Sequence, residues 1–244
     1  MHQVAFTEDY YLAIYELTQG QYSNAYVAAG MNINKGAVPS YFKDDADSPM
    51  RPVENLTFNE YRGDSTEYDW PNYTPLHGVD PDSFLGKLRE LSGVEFDLPT
   101  EAQWEYACRA GSYGRDMYYE GYSWRDSGWF DTNRTFEVGI KMKNAWGFCD
   151  MHGNIDEYCL DYWVYDPPPV DAIDPAGPDE GYEQNTKTGE IYRNRRVIRG
   201  RNWLEIKTAG VALDHASAGG RYREFPGNRY NLHGFRLWCP AIAR

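Results

Sequence analysis

Past Gly111 the sequence never sustains an apolar period long enough for a further substantial helix. Residues 112–244 alternate short apolar pieces with Gly, Asn, Asp and Pro, the punctuation of turns. Such a chain has to bury its core beneath loops tied to one another, because it has few long helices to pack. At 244 residues it sits near the size at which one core gives way to two. No internal repeat or low-complexity tract is visible. The Pro-rich piece Asp166–Pro169 has strand-like segments on both sides, so a single domain over residues 1–244 is expected, of α+β class.

Regular signals lie in the first half. Residues 3–17 are rich in Val, Tyr, Ile and Phe and read as strand-like. Thr18-x-x-Gln21 is a capping box opening a helix that carries Tyr22, Ala25, Tyr26 and Ala29 and stops at Gly30. Residues 32–52 are polar, contain proline and read as loop. Residues 59–82 have no periodicity and read as a long surface excursion. A helix is expected over Ser83–Ser92, with Phe84, Leu88 and Leu91 on one face and Gly93 as its end. Thr100-x-x-Gln103 is a second capping box, followed by the apolar stripe Trp104, Ala107, Cys108 and the stop Gly111.

The formal net charge is −13, unevenly spread. Residues 191–244 hold 11 Lys and Arg against 3 Asp and Glu, a balance of +8; residues 1–190 hold the remaining 13 against 34, a balance of −21. An acidic whole argues against nucleic acid as a partner. The basic C-terminal segment serves either as a ligand patch or as internal charge complement to the acidic body. Aromatic residues reach 16%, with 21 Tyr and 8 Trp, and these amphipathic rings suit half-buried surfaces and contact sites alike.

Cys108, Cys149, Cys159 and Cys239 include no CxxC pair and are too few for a disulfide scaffold. Cys239 is expected to be packed or bridged near Cys108. No apolar run approaches a membrane span, and the N-terminus shows no signal-peptide core, so the compartment stays open.

Six separated blocks then fall into one order. They are Tyr15-Glu16-Leu17-Thr18-x-x-Gln21-Tyr22, Arg51–Thr57 (RPVENLT), Leu98–Ala107 (LPTEAQWEYA), Asn144–Tyr158 (NAWGFCDMHGNIDEY), Arg196–Trp203 (RVIRGRNW) and Gly234–Leu237 (GFRL). Together they resemble the formylglycine-generating-enzyme, or sulfatase-modifying-factor, family over almost the whole chain. The resemblance implies a C-type-lectin-like fold with a twisted antiparallel sheet, two main helices and much irregular structure. Residues 59–82 look like an insertion, and Asp156 stands where the family usually has Trp.

Asp150, Gly153, Ile155 and Glu157 stand at i, i+3, i+5 and i+7. Two carboxylates with two intervening backbone carbonyls in a Gly-containing turn offer hard oxygen ligands suited to Ca²⁺. The resemblance implies a structural calcium at these four positions; the alternative is that Asp150 and Glu157 cap turns. Asp156 adds a charge that either tightens the site or faces solvent.

Family oxidases hold Cu(I) between two cysteines, since soft thiolates suit that ion. Those cysteines lie between the Arg-Gly-x-x-Trp and Gly-Phe-Arg blocks, and here Arg199–Arg236 contains none, with Leu204 standing about where the first is expected. No copper is therefore expected. A related branch performs iron-dependent chemistry through a histidine cluster on an added helical domain. His2, His77, His152, His215 and His233 are scattered, without an H-x₃-H spacing. No G-x-S-x-G, P-loop or dinucleotide fingerprint occurs.

Other proteins with this fold are receptors, including the variable proteins of diversity-generating retroelements, which use the surface between those same two blocks. Here that stretch supplies Arg201, Trp203, Glu205, Lys207, His215, Tyr222, Arg223, Tyr230 and Asn231, side chains suited to contact. The expected function is binding of a protein, peptide, glycan or small molecule. The alternatives are a metal-dependent oxidoreductase using His and Asp from this surface, and a variable receptor protein of a diversity-generating retroelement.

Overall fold

The chain closes on itself where its two ends meet. In the computed structural model, which describes residues 4–32, 37–63, 78–112, 124–165, 172–178, 181–184, 189, 191–204 and 217–241, strand β1 is Val4–Ala5 and β2 is Tyr10–Leu12. The last strand, β10 (Trp238–Pro240), pairs antiparallel with β2, with Trp238 opposite Leu12. The pairing continues as single bonds, Ala13 N–H to Leu237 O and Leu17 N–H to Phe235 O. The strand-like reading of residues 3–17 thus holds only in these short pieces.

The helices begin where side chains can satisfy free N–H groups. Helix α1 (Gln19–Ala28) starts at a complete capping box, with the Thr18 hydroxyl accepting from Gln21 N and the Gln21 side chain accepting from Thr18 N. It buries Tyr22 and Tyr26. Helix α2 (Phe58–Arg62) has a third box, Thr57 with Glu60. It corrects the reading of 59–82 as irregular throughout: Phe58 and Tyr61 are fully buried, and only residues 64–77 lie outside the described residues. Helix α3 (Phe84–Ser92) is capped by Ser83 and ends at Gly93 in the left-handed conformation. Its buried face is Phe84 and Leu85 with Leu88 packed beside them, not Leu91, which is 49% exposed because the helix slopes out of the core along its length. Helix α4 (Glu101–Arg109) buries the expected Trp104, Ala107 and Cys108, and α5 (Trp124–Ser127) is a single turn. The resemblance implied two main helices; the described residues hold three of nine or ten residues.

The central sheet has the order β8-β7-β3-β9. Strand β3 (Asp156–Tyr162) is buried along its whole length and pairs antiparallel with β7 (Arg196–Arg199), which pairs antiparallel with β8 (Tyr222–Glu224). Strand β9 (His233–Gly234) joins β3 in parallel, placing Asp156 opposite His233. The expected antiparallel sheet is thus present in β8, β7 and β3, with β9 added in parallel on one edge. Only residues 225–232 separate β8 from β9; they carry the chain from one edge of the sheet to the other, so that β9 runs the same way as β8 and β3. Two small pairs complete the order: β4 (Ala172–Ile173) with β1, and β5 (Tyr182–Gln184) with β6 (Ile191–Arg193).

One apolar cluster joins α1, α2, α3 and the sheet, with Phe235 stacked on Tyr61 at 4.3 Å and Phe84 stacked on Tyr22 at 4.4 Å. A second joins α4 to the other face of β3 through Trp104, Cys108, Cys159 and Val197. Buried arginines fasten the loops between. Arg62 donates to both oxygens of Asp97, and Arg196 donates to Leu160 O while stacking on Tyr162 at 3.7 Å. Each such cation is tolerated only because it is paired and hydrogen-bonded. The four cysteines are free, which corrects the bridged form of the expectation for Cys239 and Cys108. Cys108 lies 3.6 Å from His152 Nε2, and Cys239 sits in β10 opposite Tyr11.

Candidate functional site

The turn leading into β3 is built on three left-handed positions, Asp150 and the adjacent pair Gly153 and Asn154. At Gly153 a side chain is impossible without movement, since a Cβ there would lie 2.6 Å from Trp129 O. The turn is held by Gly153 N–H to Gly200 O and Asn154 N–H to Trp129 O, both at 2.9 Å.

This turn brings Asp150 and Glu157 into one buried cluster and adds a residue that the sequence reading missed. Glu16 accepts from Ile155 N at 3.2 Å and from Asn154 Nδ2 at 2.7 Å. Asp150 Oδ2 accepts from Gly139 N at 2.6 Å, while its buried Oδ1 has no partner. Both oxygens of Glu157 are engaged, by Arg236 at 2.5 and 2.6 Å and by Trp104 Nε1 at 2.8 Å. Burial pushes the Asp150 carboxyl up to about 6. Burial also pushes the Glu16 carboxyl well above its ordinary value, with the negative charges of Asp150 and Glu157 adding to the effect.

Three buried carboxylates therefore share one buried guanidinium, and one of their oxygens is orphaned. A hard divalent cation would relieve that excess of charge, so the residue set fits the expected calcium. Asp150 would hold it by side chain, with Gly153 and Ile155 contributing backbone oxygen. Glu157 would have to share its oxygens with Arg236. No local pattern singled out Glu16, whose partners Asn154 and Ile155 lie far along the chain.

The second group of predicted residues begins immediately after β7. Arg201 adopts φ 69° and is largely buried, with its guanidinium 4.4 Å over the Tyr222 ring. Arg223 lies 5.6 Å from that ring and 5.0 Å from Trp163, and Arg221 stacks on Trp163 at 4.7 Å. Arg221 is also anchored to both oxygens of Glu101. The result is an alternation of guanidinium and ring along β8, at the edge of the sheet. Such stacking keeps long side chains in fixed positions.

Trp203 fastens this surface to the turn that leads into β3. Its N–H donates to Asn154 O, and its indole donates to Asn231 O at 3.0 Å. It is only 8% exposed, so it frames the surface more than it presents a contact. Tyr230 is exposed, with its ring 5.3 Å from that of His233. Glu205, Lys207 and His215 lie outside the described residues. Asp156 does not face solvent: it is buried against Asn202 and His233, which the sequence reading passed over.

Among the described residues no three His, Cys, Asp or Glu side chains converge on a metal-holding position, and no helix is long and apolar enough to cross a membrane. Burial pushes the Cys108 thiol up to about 12 and the Cys159 thiol well up too, away from the thiolate form that a soft metal needs.

A sequence profile described as "Sulfatase-modifying factor enzyme 1-like domain" matches residues 1–239. The formylglycine-generating enzyme of Bos taurus is 26% identical over 192 residues, covering 67% of this chain and 50% of that protein. The formylglycine-generating enzyme of Thermomonospora curvata is 31% identical over 213 residues, covering 73% and 64%. The chain thus spans half to under two thirds of the length of these relatives. Among solved structures, Treponema denticola variable protein 1 superposes with a TM-score of 0.66 at 22% identity, over 98% of this chain and 86% of that one.

Proposed function

The chain belongs to the sulfatase-modifying factor enzyme 1-like family, and from that premise we propose that it is a member without copper-oxidase chemistry that binds a ligand at the edge of its sheet. Its fold is the C-type-lectin-like fold of the formylglycine-generating enzymes. The ligand surface is formed by Arg201, Trp203, Tyr222, Arg223, Tyr230 and Asn231, and a structural calcium at Asp150, Gly153, Ile155 and Glu157 holds the turn beneath it.

The observation that carries this reading is the Arg201–Tyr222–Arg223–Trp163 alternation along β8. Tyr222, 41% exposed, and Arg223 are the ring and the cation presented on a strand fixed by β7, with buried Arg201 and Trp163 backing them, the arrangement of a contact surface. The cysteine-free stretch Arg199–Arg236 and the high thiol pKa of the buried cysteines support the absence of copper chemistry. The likeness to the Treponema denticola variable protein, at 22% identity, supports the scaffold and not a ligand.

Two assays test it. Purified protein with added copper and a cysteine-containing sulfatase peptide should produce no formylglycine; turnover would overturn the first half. On peptide and glycan arrays the protein should show selective binding that Tyr222→Ala with Arg223→Ala removes. Binding indifferent to those changes would overturn the second half.

A further inference from the structure

Where the parallel strand β9 meets β3, a carboxylate and an imidazole face each other in the interior. Asp156 and His233 are register partners, and Asp156 N–H donates to Leu232 O at 2.8 Å. Asp156 Oδ2 accepts from Asn202 Nδ2 at 2.5 Å and lies 3.4 Å from His233 Nε2. Asn202 has its own oxygen held by Leu204 N at 3.0 Å, so its amide is fixed with the NH₂ toward Asp156. The His233 ring is set by Tyr158 and Tyr230, edge-on at 5.7 and 5.3 Å.

Two polar atoms of this otherwise ordered cluster have no partner, Asp156 Oδ1 and His233 Nδ1, and both are buried. Orphaned buried polar atoms are rare and call for a missing partner. The missing partner's chemistry follows from the atoms left over. With the Nε2 proton assigned toward the carboxylate, Nδ1 is an acceptor, and Oδ1 is an acceptor belonging to a charged group. Both require donors, and one favours positive charge. The rings beside them, Tyr158 and Tyr230, favour positive charge as well. Tyr230 is 44% exposed, so the cluster lies just under the proposed ligand surface.

We propose that Asp156, His233 and Asn202 form a receiving site for an alkylammonium group of the ligand, entering beside Tyr230. The ammonium offers three donors and a charge to two acceptors and an aromatic wall. Asn202 and the Asp156 Oδ2 side of the pair position the carboxylate, leaving Oδ1 for the ligand. The inference rests on the binding reading given above and names the ligand chemistry at one end of that surface.

The test uses the full chain and follows the His233 ring nitrogens by NMR while n-butylammonium, Nα-acetyl-lysine methylamide or n-butanol is added. Both cations should shift Nδ1 saturably, and butanol should bind at least tenfold more weakly. A response to the lysine derivative alone identifies a protein side chain as the source, and a response to both a free amine or a side chain. Asp156→Asn should weaken the response at least tenfold, and Tyr230→Ala, which removes one of the two rings beside His233, several-fold. Equal response to butanol, no response to either cation, or a crystal structure with one water satisfying both atoms in the presence of the amine would overturn it. Should array binding still depend on Tyr222 and Arg223 while the ammonium response is absent, this inference fails alone.

Discussion

Glu157 and Arg236 meet with no access to solvent on either side, joined by two bonds of 2.5 and 2.6 Å. The guanidinium also donates to the carbonyls of Ala13, Ile14 and Cys149. One side chain thus ties β3 to the N-terminal segment and to the turn before Asp150. Burial works against the Arg236 charge, but Glu157, with Glu16 and Asp150, more than offsets it and holds its pKa above the usual value. Arg236 is the counter-charge on which the acidic cluster depends.

Removing one partner strands the other. Arg236→Met should destabilise by about 3–5 kcal/mol, the cost of an uncompensated buried charge. The double change Arg236→Met with Glu157→Leu should cost clearly less than the two single changes together. Urea unfolding in the presence of a chelator measures both. Additive costs would show that the two residues act independently.

Asp161 gives the fold a pH dependence of identifiable sign. It is buried in β3, and burial first, then the neighbouring charge of Glu101, pushes its carboxyl up to about 7, well above the ordinary carboxylate range. A folded value above the unfolded one means that the native state holds the proton more tightly. Stability therefore rises as pH falls from 8 through about 7 and continues to rise toward the unfolded value, with a slope of at most about 1.4 kcal/mol per pH unit. Asp161→Asn should flatten this slope between pH 5 and 8 in chemical unfolding. The Glu101 N–H, which donates to Asp161 at 2.6 Å, can still find an amide oxygen there.

The parts of the fold legible in sequence were those set by local chemistry. Thr18 and Thr100 announced their helices because a hydroxyl three residues ahead of Gln closes a box within one turn, and Thr57 with Glu60 carried the same signal unread. Gly93 marked an end because the chain there turns left-handed. Leu91 was misplaced because periodicity gives the face of a helix and not where the core stops beneath it. Glu16 and Asp156 were harder. Each is a carboxylate whose meaning comes from a residue far away in sequence, Asn154 for one and His233 for the other. No spacing rule joins positions brought together by a parallel strand added at the end of the chain.

Gly153 is a local position whose cost can be stated. Alanine there would meet Trp129 O at 2.6 Å and Trp129 N at 2.7 Å, in a backbone conformation with φ 78°. Gly153→Ala should destabilise by about 2 kcal/mol or more through strain and lost packing. It should also lower calcium affinity, because the turn that presents the ligands would have to move. Thermal unfolding with and without calcium separates the two effects.

Calcium itself should leave a signature at Asp150 that a turn-capping role would not. If the ion binds only the native state, calcium at about 100 times its dissociation constant adds about 2.7 kcal/mol, or a rise of roughly 5–10 °C in Tm for a chain of this size. Asp150→Asn removes one charge from a cluster in which Asp150 and Glu157 both press on Glu16, while an amide oxygen can still accept from Gly139 N. In a chelator this variant should be as stable as the natural chain or more so, since like-charge repulsion is relieved. In calcium the order should invert, because the variant binds the ion more weakly. A pure cap predicts no calcium response in either protein and no inversion, and that outcome, read by differential scanning calorimetry, would remove the ion from the turn.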